Sequence, residues 1–179
     1  MSENTPELPP VQPPEMPRPI DRRSLEDRVY EIEASAEEAA ALARRFALVA
    51  VKSLSARIEL EPDGDAIHAE GRLIARIVQS CAISGDDLPV EIDVPVSFRF
   101  APERAIDADE IELEEDECDE IPFTGHFFDL GEAVSQSLAL SIDPYASGPN
   151  AEEVRKKAGL MDESASGPFA ALAALKTDN

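Results

Sequence analysis

Three stretches in the middle of the chain alternate apolar and polar residues with a period of two, the pattern of a half-buried β-strand. Leu54, Ala56, Ile58 and Leu60 alternate with Ser55, Arg57, Glu59 and Glu61. Pro62-Asp63-Gly64-Asp65 follows, and an Asp-Gly pair favours the positive-φ geometry of a tight hairpin. Ile67, Ala69, Gly71, Leu73, Ala75 and Ile77 then line one face of a longer strand, with His68, Glu70, Arg72 and Arg76 on the other. A turn at Ser84-Gly85-Asp86-Asp87 leads to Val90, Ile92, Val94, Val96, Phe98 and Phe100, separated by Glu91, Asp93, Pro95, Ser97 and Arg99. Pro95 cannot donate to a ladder, so it marks an edge strand or a bulge. Three successive strands with polar outer faces predict a single antiparallel sheet, a meander that is open or partly closed into a barrel.

The period changes to that of a helix on either side. Arg28–Ala34 alternates as a short strand and is followed by Ser35-Ala-Glu-Glu38, the spacing of a capping box, in which hydroxyl and carboxylate each satisfy a free backbone N–H. The helix it opens, Ala36–Ala47, carries Ala39, Leu42, Ala43 and Phe46 on one face. Asp129-Leu-Gly-Glu132 repeats the device with Asp as N-cap. It opens a helix over Leu130–Ile142 with a stripe of Leu130, Val134 and Leu138, closed by Pro144. The expected fold class is therefore α+β, one sheet packed by two main helices.

The flanks read differently. Residues 1–19 contain seven prolines and almost no large apolar residue, which predicts an extended, solvated tail. The ordered domain is expected over residues 20–145, interrupted by an acidic loop at 103–121. Residues 146–179 read as a polar tether with the basic triplet Arg155, Lys156, Lys157, ending in a short amphipathic helix that presents Phe169, Leu172 and Leu175. A helix this short needs a surface to be stable, either the protein's own sheet or a groove on a partner.

Charge sharpens the picture. The chain of 179 residues has 38 acids against 16 bases, a formal charge of −22, with 43% hydrophobic residues and no Trp. Such a charge repels polyanions and favours a basic partner. Non-specific nucleic-acid binding needs lysines and arginines to displace counterions, and few are to spare. The densest acids are Asp107, Asp109, Glu110, Glu112, Glu114, Glu115, Asp116 and Glu117, within a run that extends to Glu120 and predicts a solvated loop suited to partner recognition. The opening residues lack the apolar core of a signal peptide. No stretch approaches the roughly 18–20 apolar residues of a membrane span, so a cytoplasmic location and no membrane contact are expected.

Candidate chemistry is sparse. Cys81 and Cys118 are too few for a disulfide framework or a standard zinc set. His68 falls on the polar face of a strand and reads as solvent-facing, and Cys81 reads as a buried structural thiol. Cys118, amid the acids, has its thiolate disfavoured by neighbouring charge. No phosphate loop, dinucleotide fingerprint or zinc-protease helix is present. No enzyme activity, cofactor or metal is expected.

Two stretches together resemble the YceD family, the large-ribosomal-RNA-subunit accumulation proteins of bacteria and plastids. In Val78–Phe100 a strand ends in Cys81, turns through a polar loop and returns as a strand closing on Arg99-Phe100. In Phe128–Tyr145 the family's acidic helix start is carried by Asp129, Leu130 and Glu132, and the helix leads into Pro144. The phrase Pro168–Lys176 is similar to the family's C-terminal ending, and the likeness covers about Ser35 to Lys176, in the manner of the alphaproteobacterial branch. Many members have a CxxC-like pair where this chain has Cys81 and Ser84, so a metal or redox role of that pair does not carry over. The resemblance implies a role in synthesis, processing or stability of 23S ribosomal RNA without a known enzymatic step. Taken with the charge, it makes a basic ribosomal protein or assembly factor the expected partner, associated with large-subunit rRNA indirectly. Two alternatives stand beside it: direct RNA binding through Arg155, Lys156 and Lys157, and a thiol enzyme using Cys81 and a histidine.

Overall fold

The computed structural model describes residues 13–25, 29–103 and 120–158. Among these the elements run β1 (Pro19–Asp21), a 3-10 turn (Arg22–Ser24), β2 (Val29–Glu33), α1 (Ala36–Arg45), β3 (Ala50–Asp63), β4 (Ala66–Ser80), β5 (Asp87–Pro102), β6 (Glu120–Phe123), β7 (Phe127–Asp129), α2 (Leu130–Ser141) and α3 (Ala151–Lys157). The α+β class is as expected.

The central meander follows directly from the alternation. β3 pairs antiparallel with β4 from Ala50↔Val78 to Asp63↔Ala66, and β4 with β5 from Ile67↔Phe100 to Ser80↔Asp87. Gly64 holds φ 60° in the hairpin between β3 and β4, where a residue with a Cβ would be strained. Leu54, Ile58, Leu60, Leu73, Ile77 and Phe100 are all fully buried on the inner face. β5 is not the edge strand of the sheet, because β6 pairs with it at Arg99–Pro102, but at Pro95 it has only β4 as a described neighbour.

A single antiparallel sheet is not what forms. The large sheet has five strands in the order β2-β3-β4-β5-β6, and β6 runs parallel to β5, pairing Arg99↔Glu120 through Pro102↔Phe123. β1 and β7 make a separate two-stranded sheet, and among the described residues no barrel closes. The acidic run is correspondingly shorter than 103–121. Glu120 and Ile121 belong to β6, where the Glu120 carboxylate pairs with the Arg99 guanidinium, and Glu103 donates its N–H to the Phe123 carbonyl at 2.9 Å.

α1 and α2 cover the inner face, α1 against β3 and α2 against β4 and β5. Ser35 caps α1 as the spacing requires: its hydroxyl accepts from the Glu38 N–H at 3.2 Å, and the Glu38 carboxylate accepts from the Ser35 N–H at 2.8 Å. Ala39, Leu42 and Ala43 are buried, and so are Leu130, Val134 and Leu138 of α2. α3 is a third helix, within the stretch expected to be a polar tether.

The last residues of the proline-rich stretch 1–19 are described from Pro13 onward, and they pack on the domain. Met16 is fully buried in the core, and its carbonyl oxygen sits where a Cβ at Gly131 would have to go. Arg18 forks onto the Glu38 carboxylate at 2.7 and 3.0 Å and donates its backbone N–H to Asp129 at 2.9 Å. Glu15 and Glu132 together hold Arg45. Pro13, Pro14 and Pro17 suit this strap, because residues that lie outside any ladder lose little by lacking an N–H. The tail proper, residues 1–12, lies outside the described residues.

Met16→Ala should lower stability by about 2–4 kcal/mol, the cost of truncating a fully buried methionine. Gly131→Ala should lower it by about 1–3 kcal/mol through overpacking, despite its better helix propensity. Urea unfolding of both variants checks this; unchanged midpoints would mean the strap is not part of the fold.

The Arg18 fork, then the backbone N–H of Ser35, holds the Glu38 carboxyl down at about 2. A depressed carboxylate stabilises the fold above its unfolded value of 4.5, and that contribution is lost as the pH falls towards about 2. Glu38→Gln should therefore flatten the acid limb of a stability–pH curve across this window, read from melting temperatures at successive pH values.

Candidate functional site

Each stretch that carries the family likeness is built around a turn or cap, and the fold brings the two together at both ends of the sheet. At one end, β4 runs into Cys81. The Cys81 carbonyl accepts from the Gly85 N–H at 3.0 Å, and the Cys81 N–H donates to the Asp86 carbonyl at 2.8 Å. The chain leaving α2 packs on this turn. Gln79 Nε2 donates to the Asp143 carbonyl at 2.8 Å, the Ala82 N–H to the Ala146 carbonyl at 3.0 Å, and Asn150 Nδ2 to the Asp86 carboxylate at 3.1 Å.

Cys81 Sγ lies at this junction. It accepts from the Gly148 N–H at 3.2 Å and from the Ser84 N–H at 3.4 Å. The thiol is 3% exposed yet stands outside the central core cluster, shielded locally by the turn and the 146–148 segment. The Ser84 hydroxyl, then the N–H groups of Ser84, Gly148 and Ile83, bring the thiol down to about 6. Hydrogen bonds to the charged form produce this direction, as at other stabilised thiolates. Ser84 is thus a donor to the sulfur.

At the other end Phe100 joins the two stretches through its ring. It is fully buried, with Phe128 4.3 Å away at 36° and Phe98 5.5 Å away edge-on. Arg99 reaches Glu120 and, at 3.1 Å, Asp63, and these carboxylates raise its pKa. Asp129 caps α2 by accepting from the Glu132 N–H at 3.0 Å, while Leu130 is fully buried. Glu132 takes both arms of Arg45 at 2.8 and 2.7 Å, which holds its carboxyl below the usual range. Cys81, Arg99, Phe100, Asp129, Leu130 and Glu132 are therefore joints of the fold.

The described histidines do not meet Cys81. His68 lies near the hairpin end of β4, thirteen residues from Cys81 along one strand, a separation of roughly 40 Å. It is partly exposed beside Glu70, 3.0 Å away. His126 sits in the turn between β6 and β7, its carbonyl bound to the Arg22 N–H, and Arg22 in turn reaches Asp65 at the hairpin end. Neither imidazole is near the sulfur, and a nucleophile needs its base within about 3 Å. Among the described residues no group of three or more His, Cys, Asp or Glu is placed to hold a metal ion.

The expected partner-binding residues Asp107, Asp109, Glu110, Glu112, Glu114, Glu115, Asp116 and Glu117, with Phe169, Leu172 and Leu175, lie outside the described residues. Arg155, Lys156 and Lys157 form the last turn of α3, and Lys157 is held by Glu153 at 2.8 Å. A groove on the open face of the large sheet was not anticipated. It has a volume of about 550 Å³ and is lined by Glu31, Glu33, Ser55, Arg57, Arg72 and Ile74. Its one sequence signal is Ile74, an aliphatic residue in the polar register of β4.

With Cys118→Ser to leave one thiol, the ultraviolet thiolate signal of Cys81 should titrate with a midpoint of about 6 and move upward in Ser84→Ala. The lowered thiol stabilises the fold above its ordinary value of 9.0, and this is lost as the pH falls through about 6. A midpoint at the ordinary value would contradict the hydrogen bonds seen at the sulfur.

The family model for the large ribosomal RNA subunit accumulation protein YceD matches residues 69–176, from the middle of β4 onward. No curated protein matches, and no solved structure does. The match takes in the Cys81 turn, the Arg99-Phe100 strand end, the capped α2 and the closing Pro168–Lys176 phrase. The chain belongs to the YceD family of large ribosomal RNA subunit accumulation proteins.

Proposed function

We propose that this chain is a non-enzymatic ribosome-biogenesis factor that supports synthesis, processing or stability of 23S ribosomal RNA by binding a basic ribosomal or assembly protein. The family match carries the first half of this reading. Charge carries the second. The chain bears −22, and most described arginines are already engaged by carboxylates: Arg18 by Glu38, Arg45 by Glu15 and Glu132, Arg72 by Asp93, Arg76 by Glu91, and Arg99 by Asp63 and Glu120. Guanidinium groups so engaged are poorly placed to displace counterions from RNA, whereas the surplus acids attract a cationic protein.

The organisation that goes with this function is a domain over residues 20–145 extended by the Met16–Pro19 strap, an acidic segment within it that meets the partner, and a C-terminal phrase that docks through Phe169, Leu172 and Leu175. The protein would act in the cytoplasm, and no described helix is long and apolar enough to cross a membrane. Direct RNA contact is the second reading. It is favoured by Arg155, Lys156 and Lys157 sharing the last turn of α3, and it predicts a steep loss of binding with salt.

A deletion strain should show depleted large subunits in a gradient profile, with the tagged protein sedimenting alongside large-subunit precursors. After nuclease treatment, basic protein should remain bound; its loss would favour direct RNA contact. Replacing Asp109, Glu112, Glu115 and Glu117 with Asn or Gln should leave the melting temperature unchanged or higher, since lowering a charge of −22 relieves self-repulsion. The same variant should lose the basic protein at physiological salt. Retention would make the run a solubilising segment only.

A further inference from the structure

One face of the five-stranded sheet lies under α1 and α2; among the described residues no element covers the other, and its charges are arranged in rows by the strand register. Val29, Glu59, Glu70 and Ser97 form one row across β2, β3, β4 and β5. The next is Glu31, Arg57, Arg72 and Pro95, and the one after it Glu33, Ser55, Ile74 and Asp93. Each arginine here has a carboxylate within this face: Arg57 with Glu31 at 3.6 Å, Arg72 with Asp93 at 2.6 Å, Arg76 with Glu91 at 3.1 Å. Among the described residues the carboxylates of Glu33, Glu59 and Glu61 have no basic partner, although the Glu33 carbonyl accepts from Arg18, and the Glu70 carboxylate meets the His68 imidazole. Glu59 and Glu70 are direct cross-strand partners, a like-charge pairing that disfavours the free sheet.

Beside these acids lies the groove of about 550 Å³, with Ile74 on its wall at 49% exposure. A single exposed aliphatic is ordinary, but this one lines a concavity and is bordered by the stems of Arg57 and Arg72. We propose that this open face binds an extended, basic segment of a partner protein, with an aliphatic side chain in the groove against Ile74 and lysines or arginines over Glu33, Glu59 and Glu70. Ile74 and Glu70 are four residues apart on β4, a rise of about 13 Å. An extended peptide would match them with an aliphatic residue and a basic residue about four positions apart.

Charge complementarity selects this occupant. A second copy would bring unpaired carboxylates against one another. RNA would meet the same carboxylates and, on the rows around the groove, no aromatic ring to stack on. This inference rests on the reading that the partner is a basic protein, and it adds where that protein is held.

The test uses the full chain and a fluorescent synthetic peptide with one leucine and two lysines about four positions beyond it. Anisotropy should show binding that weakens about tenfold in Ile74→Asp and again about tenfold in the Glu59→Gln/Glu70→Gln double variant, as expected for central contacts. Both sets of substitutions are on the solvent face, and an unchanged circular dichroism spectrum confirms the fold. The four-acid variant of the 107–117 segment should bind this peptide as the parent does. No binding by the parent, the parent's affinity retained in either face variant, or tighter binding of a poly(U) oligonucleotide than of the peptide would overturn the proposal. The gradient profile of the deletion strain judges the ribosome-biogenesis reading separately, because it does not depend on which surface is used.

Discussion

The inner face of β3, β4 and β5 presents Leu54, Ile58, Leu60, Leu73, Ile77 and Phe100 to whatever lies beneath it, and covering that face is the constraint from which the rest follows. A sheet with one apolar side must bury it against another layer. Burying a leucine or isoleucine is worth about 1.5–3 kcal/mol, so leaving this face wet would cost more than a small domain's whole stability. The cover is drawn from both flanks in the sequence. α1 comes before the meander and α2 after it, so neither docks by local contacts alone.

Ion pairs and caps set how the cover sits, more than how stable it is. Glu38 closes the capping box of α1 and also takes the Arg18 fork, while Asp129 caps α2 and receives the Arg18 N–H. One strap residue therefore touches the starts of both helices. Arg45, near the end of α1, reaches Glu132 in the first turn of α2 and Glu15 on the strap. These are partly exposed pairs, individually weak, but they share residues and fix one arrangement. The family stretches meet at the Cys81 turn and at the Phe100–Phe128 contact, which lock α2 to β4 and β5 at each end. Residues that resemble a functional motif in sequence are, in space, the hinges of a scaffold.

Among the described residues that leaves the opposite face of the sheet uncovered. Its arginines are engaged by carboxylates of the same face, other carboxylates there have no basic partner among the described residues, and Ile74 stands exposed between Arg72 and Arg76 in the outward register of β4.

Everything that depends on neighbours in sequence was legible before the fold was seen. The three strands of the meander, the Asp63-Gly64 hairpin, the capping box at Ser35–Glu38 and the Asp129 cap all follow from local geometry, whose periods of two and 3.6 leave a visible trace. Other features depend on what packs against what, and only the tertiary structure decided them. β6 has four residues including a proline, too few to show a period, and its parallel place beside β5 is set by Phe100, Phe123 and the Arg99–Glu120 pair. The burial of Met16 could not be read from a proline-rich run, because one methionine becomes core only where Gly131 leaves room for its backbone. The coming together of Cys81 with Gly148, and the groove beside Ile74, likewise arise from residues brought close by the fold and not by the chain.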